Sequence, residues 1–460
     1  MEIFLIEFSV FGRVIYSYAD RYLFQANIRH DGSSRFAKGY RWGTFPSFSA
    51  GWVMSEEKFM KSLNWDWLSF LKLRGSWGIL GNERIGDDYF PYIALMSFGN
   101  SLFYMADGSV VSDKTARPAI LAVEDITWET TTSTDFGLDA NFFNNRLQFH
   151  FDYYWKQTKD MLLKIEIPYF MGYNNPNTNA GKMSTHGYDI ELAWNDRIGD
   201  LQYGVNVNFS DFLSKIDYMN DGEQISNGKI KRAGVLFNEY YGYVCDGIYQ
   251  TLEEVNNSAR TSTTVTVGDL KYRDISGPDG VPDGIISPEY DRVPLGNSLP
   301  RFQYGGTFNA SYKGIDFSIA FQGIGKQNSY LSTAMVQPLR DNYGSVPSII
   351  EGKYWSPFNT AEENLSARYP RLSNVSKSNN YATSSFWMFN GSYFRLKNLT
   401  LGYTLPETWT QKAGIDRVRF YISGSDLFCL SNFPDGWDPE MGASSYPITT
   451  SLVMGLQVNF

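Results

Sequence analysis

Apolar and polar positions alternate with a period of two through much of the chain, the mark of a strand with two different faces. The last ten residues show the pattern well. Leu452, Met454, Leu456, Val458 and Phe460 fall on one face and Ser451, Gly455, Gln457 and Asn459 on the other, with Val453 the exception. From Leu201 to Ser210, the apolar set Leu201, Tyr203, Val205, Val207 and Phe209 opposes Gln202, Gly204, Asn206, Asn208 and Ser210. From Leu147 to Lys156, the set Leu147, Phe149, Phe151, Tyr153 and Trp155 opposes Gln148, His150, Asp152, Tyr154 and Lys156. The pattern predicts about thirteen strands, near residues 10–18, 21–31, 43–54, 70–80, 130–142, 146–160, 186–195, 201–210, 302–312, 315–323, 393–405, 417–427 and 451–460. Alternation alone fits either a soluble sandwich, whose apolar face meets a second sheet, or a membrane barrel, whose apolar face meets lipid.

Connection lengths separate the two. Every second link is short: Ala19-Asp20, Phe143 to Asn145, Asp196 to Asp200 and Lys313-Gly314, with 55–69 and 406–416 still modest. The other links are mostly long, near 81–129, 161–185, 211–301, 324–392 and 428–450. Short turns at one end and long loops at the other are the asymmetry of outer-membrane barrels, whose periplasmic turns are short and whose extracellular loops are long. A sandwich has no reason to keep that parity. The expected fold is therefore all-β, a transmembrane antiparallel β-barrel, with Phe460 at the periplasmic end of the last strand. No 20–50-residue repeat interrupts it, so a single structural unit over 1–460 is the economical reading.

Composition agrees. Aromatics make up 17% of the 460 residues, while the mean hydropathy of −0.32 is that of a water-soluble protein. Lipid-facing and lumen-facing residues cancel in such an average. Tyr16, Tyr18, Tyr22, Tyr153, Trp155, Trp194, Tyr312, Tyr393 and Tyr403 fall at or near strand ends, where aromatic girdles are expected. No stretch approaches the roughly 20 apolar residues of a membrane helix. The formal charge of −9 argues against nucleic acid as a partner. Cys245 and Cys429 stand far apart and in no metal-ligand spacing, and are read as two unrelated thiols. Met1 to Phe11 is apolar but carries Glu2 and Glu7 and no basic n-region, a poor export signal, so the chain is expected to be a piece of a longer exported protein.

Several ordered segments resemble a known family, the SusC/RagA-type TonB-linked outer-membrane proteins. They begin with Asp20-Arg21-Tyr22-Leu23 and Arg29-His30-Asp31-Gly32-Ser33-Ser34-Arg35-Phe36. Phe45-Pro46-Ser47, Leu73-Arg74-Gly75-Ser76-Trp77-Gly78 and Asp135-Phe136-Gly137-Leu138-Asp139 follow in order. Then come Pro300-Arg301-Phe302, Phe321-Gln322-Gly323, Tyr393-Phe394-Arg395-Leu396-Lys397-Asn398-Leu399 and Trp437-Asp438-Pro439-Glu440. The resemblance implies the C-terminal portion of a 22-stranded TonB-dependent receptor barrel, with the plug domain absent from this chain. It further implies a nutrient importer for oligosaccharides or peptides in the bacterial outer membrane, surrounded by outer-membrane lipid. A SusD-type surface lipoprotein would close its outer mouth, and the TonB complex would act through the missing N-terminal region. Two other readings are a passive or adhesive surface barrel and a secreted β-sandwich that binds glycans.

Candidate chemistry lies in the long loops. The run from Asp274 through Asp279, Asp283 and Asp291 resembles a calcium loop, with Asp279 and Asp283 at positions 1 and 5 and the turn glycine Gly284 at 6. Val281 occupies position 3 and Asp291 falls one residue late, so an acidic solvated turn is the alternative. No cofactor is required, and a structural Ca²⁺ would stiffen the loop. Trp355, Tyr381, Phe386, Trp387 and Trp437 are loop aromatics whose ring faces could stack on sugars, or could pack the loops together. Catalysis is not expected. His30, His150 and His186 sit on or beside strands, and Asp438 and Glu440 are a carboxylate pair with no other support for glycosidase chemistry.

Overall fold

The computed structural model describes residues 5–86, 89–220, 222–332, 336–340, 346–441, 446 and 448–460. Thirteen strands follow one another in chain order in one antiparallel sheet. They are β1 (Glu7–Tyr18), β2 (Tyr22–Ser33), β3 (Trp42–Val53), β4 (Leu68–Asn82), β5 (Glu129–Phe142), β6 (Leu147–Lys164), β7 (Asn177–Ile198), β8 (Leu201–Met219), β9 (Arg301–Tyr312), β10 (Ile315–Lys326), β11 (Tyr393–Thr404), β12 (Arg417–Ser431) and β13 (Ser451–Asn459). Each overlaps one strand predicted from alternation. The hairpin Leu95–Tyr104 with Val110–Ile120, inside the first long link, carries no such signal and was not expected.

The short links are tight turns that need left-handed backbone. Ala19 and Asp20 both have φ near +50°, as do Lys313 (φ 45°) and, further round, Gly314 (φ 84°). Positive φ at both central residues is the geometry of a two-residue turn whose twist matches that of the strands it joins. Phe143, Asn144 and Asn145 make a three-residue version. The link between β3 and β4 is folded back by Glu57, which accepts from Arg21, from the Tyr22 hydroxyl and from the Trp52 indole.

The contacts divide the chain into two compact units. The first holds β1–β6, the start of β7 and the end of β8. Its strands show one polar and one apolar face. On the polar face the Arg74 guanidinium reaches Asp139 and Asp152, and Gly137 is glycine because a Cβ there would meet that guanidinium at 2.4 Å. On the apolar face Phe24, Phe48, Trp77, Phe136 and Trp155 remain uncovered, Phe136 being 56% exposed. At the loop end Phe36, Phe45, Ile85, Ile126 and Trp128 form a small core, and the Trp128 indole donates to Arg41 O.

The second unit holds the end of β7, the start of β8, β9–β13 and most of the residues in the links 220–300 and 327–392. Its polar face carries Arg419 on Asp316 and Thr400 on Ser423. Its apolar face runs through Ile315, Leu401, Phe420, Ile422, Leu452 and Met454, and Met454 is 80% exposed. In each unit the sheet offers an apolar face that no second sheet covers. A sandwich would bury it, and so the sandwich reading fails on packing.

Candidate functional site

In the second unit the two longest links are sewn together by side chains. Asp269 is fully buried and its carboxylate accepts from Arg371 Nε (2.7 Å), the Ser376 hydroxyl (2.8 Å), Asn380 Nδ2 (3.0 Å) and Thr266 N (2.9 Å). A buried anion is tolerable when its oxygens are filled in this way. Beside it Asn379 and Asn380 take the place of a neighbouring strand. Asn380 Oδ1 accepts from Leu270 N, and Asn379 Nδ2 donates to Leu270 O. The seam continues through Tyr243 N to Thr383 O and Cys245 N to Ser385 Oγ. Gly242 allows this approach, since a Cβ there would lie 2.2 Å from Thr383 O. Short helices Leu252–Asn256 and Ala361–Leu365 begin with Thr251 and Thr360, whose hydroxyls cap the first turn.

Four of the five loop aromatics expected to hold a solute come together here. Trp387 is fully buried among Leu331, Val336 and Phe433, with Tyr369, Tyr381, Phe386 and Trp437 around it, and its indole donates to Asn380 O (2.7 Å). Tyr381 donates to Pro338 O, and burial pushes its phenol up to about 12. Trp355 is buried elsewhere, against Gln250 Oε1 (3.2 Å). Sugar stacking needs an open ring face, and Trp355 and Trp387 have none.

Phe386 does reach open space. With Phe389, Phe433 and Pro434 it lines a cavity of about 400 Å³. The volume lies in the range of small-molecule sites, about 300–1,000 Å³. Lys353 and Arg368 also line it, and their backbones are joined, Lys353 O accepting from Arg368 N (2.8 Å) and Tyr369 N (3.1 Å). Burial raises the pKa of the Tyr369 phenol, and the neighbouring Arg368 charge pulls it back. Gly436 (φ 84°) shapes the other wall, where Ile349 packs at a distance that leaves no room for a Cβ. Lys353, Arg368, Phe389 and Phe433 were not singled out from the sequence. They are scattered over 81 positions with no shared spacing, and no sequence signal could have joined them.

Three of the four aspartates of the acidic loop accept from its own backbone, while Asp274 Oδ1 is buried without a hydrogen-bond partner among the described residues. Asp291 is fully buried and accepts from Ile275 N (2.7 Å), Ser276 N (3.2 Å) and Ser287 N (2.7 Å). Asp274 accepts from Gly284 N (2.7 Å) and Asp283 from Ile285 N (2.9 Å), while Asp279 is exposed. Calcium would need these oxygens to converge on one point. Among the described residues, no group of three or more His, Cys, Asp or Glu side chains is placed to hold a metal ion.

Asp438 and Glu440 lie on one guanidinium. Arg395, on β11 and 4% exposed, binds both Asp438 oxygens at 2.6 Å and Glu440 at 2.5 Å, and Gln322 donates to Glu440. They serve as a clamp that holds the stretch 432–441 to β11. His150 is bonded to Asp139, and His30 is stacked on Trp42 with its Nδ1 at 2.9 Å from the Thr44 hydroxyl. Cys245 and Cys429 are both free thiols.

Comparison with known proteins follows the geometry. Residues 6–423 match the family described as TonB dependent receptor-like, beta-barrel. The chain is 31% identical to TonB-dependent receptor P3 of Formosa agariphila, over 98% of this chain and 45% of that protein. It is also 31% identical to TonB-dependent receptor SusC of Bacteroides thetaiotaomicron, over 98% of this chain and 43% of that one. It spans less than half the length of these curated relatives. Among solved structures, the RagAB peptide transporter superposes with a TM-score of 0.78 at 24% identity, covering 99% of this chain and 48% of that one, which is a likeness of fold.

Proposed function

The chain belongs to the TonB-dependent receptor-like β-barrel family of the outer membrane, and from that premise we propose that it is the C-terminal wall and outer loops of an energy-coupled nutrient importer. The observation that carries the reading is the uncovered apolar face of the strands, backed by a polar face lined with charges and amides. Such a wall suits lipid on one side and hydrophilic solute on the other. Among the described residues, β1 and β13 each have one neighbour in the sheet. Lipid does not tolerate open strand edges, so both edges call for further strands, as a 22-stranded barrel would supply. The importer would work with an N-terminal plug that contacts the TonB complex and with a surface lipoprotein of the SusD type over the sewn loops. Its solute would be an oligosaccharide rather than a peptide, held first by the aromatic cavity at the loop end.

Uptake of labelled oligosaccharides by cells carrying the full-length protein tests this. Uptake is expected to need the gene and to stop when the proton gradient is collapsed. Uptake that survives de-energisation would identify a passive pore and overturn the reading.

A further inference from the structure

Resting on the importer reading, we propose that the cavity between residues 349–389 and 432–435 selects acidic sugars, binding a pyranose ring that carries a carboxylate. Three observations lead there. First, Lys353 and Arg368 both line the cavity, and their backbones are joined by the hydrogen bond from Arg368 N to Lys353 O (2.8 Å). Second, neither cation has an ion pair with any described residue, whereas Arg74, Arg301, Arg371, Arg395 and Arg419 are all paired with carboxylates. Third, the floor below them is aromatic, from Phe386, Phe389 and Phe433, with Phe389 and Phe433 held edge to face at 6.2 Å.

A uronic acid matches this lining with a single ring. Its C–H face lies on the aromatic floor, and its carboxylate, attached to the same ring, reaches the two cations. Both cations are exposed, so their attraction for a carboxylate is open to screening by salt. Asp435 also lines the cavity and is exposed at its rim. It repels an anion placed on its side, so the acid group is oriented toward Lys353 and Arg368. An extended acidic peptide would be held mainly through its backbone groups, and the lining offers ring faces and charges in their place.

The test uses the full-length receptor in detergent and isothermal titration with three probes: trigalacturonate, neutral galactotriose and triglutamate. Wild type is expected to bind trigalacturonate at least tenfold more tightly than galactotriose, with an advantage that shrinks as salt rises. The double variant Lys353→Gln/Arg368→Gln alters two exposed side chains. It is expected to lose that advantage while keeping wild-type heat-modifiable migration, and Lys412→Gln is expected to change nothing. Equal affinity for the acidic and neutral sugars overturns the proposal, as does an advantage that survives in the double variant. Preference for triglutamate over trigalacturonate replaces the sugar with an acidic peptide and overturns it too. Uptake is read separately. Selective binding without energised uptake would sink the importer reading and leave the site intact, and energised uptake with no acid preference would do the reverse.

Discussion

Asp269 and Trp387 are single residues on which the packing of the long loops turns. Four donors surround the Asp269 carboxylate. Asp269→Ala strips them of their acceptor and leaves Arg371 facing a buried gap. Breaking one side of a buried pair costs about 3–5 kcal/mol. Limited proteolysis of the variant is expected to cut within 250–390 many times faster than in wild type, while the strands stay protected. Trp387→Ala removes the largest fully buried side chain of the same body, with a similar expected cost of about 3–5 kcal/mol from the cavity. The sequence showed that these loops were aromatic. It could not show which rings are enclosed, because a loop has no period from which an inward face can be read. Nor could it show that Asp291 turns onto three backbone amides. Because those amides satisfy it without a metal, removal of divalent ions by EDTA is expected to leave the proteolysis pattern unchanged. A new cleavage near 274–291 on chelation would contradict that account.

At the scale of elements, the strands were legible and their full lengths were not. Alternation predicts 186–195, yet β7 runs from Asn177 to Ile198. Residues 177–185 are mostly polar, and a strand alternates only where one of its faces meets an apolar medium. The hydrogen-bond ladder simply continues past that band. The extension of β8 to Met219 carries Phe212, Leu213, Ile216, Tyr218 and Met219 without strict alternation. The sewn loops depend on close backbone approach, and Gly242 is the clearest case. Gly242→Ala would force a Cβ against the Thr383 carbonyl and is expected to break the Tyr243 N to Thr383 O bond. Hydrogen exchange at Tyr243 would then accelerate, while exchange at the amides of β9 and β10 would stay slow.

For the whole molecule, the two faces of the strands make opposite predictions for the same added charge. Met454 lies on the uncovered apolar face and Ser423 on the polar one. An arginine facing lipid costs about 2–4 kcal/mol near the midplane and little when it faces the lumen. Met454→Arg in the full-length protein is therefore expected to reduce the heat-modifiable, folded fraction, and Ser423→Arg to leave it near wild type. Equal loss in both would mean that the apolar face does not meet lipid. This division of faces was visible in the sequence from the start, because it is written into every second residue. The solute cavity was not, since Lys353, Arg368, Phe386 and Phe433 meet only through the folding of loops.

The seam between 220–300 and 327–392 also bears on how such a protein can change over time. Asp269 with Arg371, Leu270 with Asn380, and Gly242 with Thr383 are matched across a hundred or more residues of chain. A recombination that brought in one of these stretches from a cousin would leave orphaned partners on the other. The two stretches would be exchanged as one cassette, with β9 and β10 carried along between them, and chimaeras divided at β9 should be rare survivors.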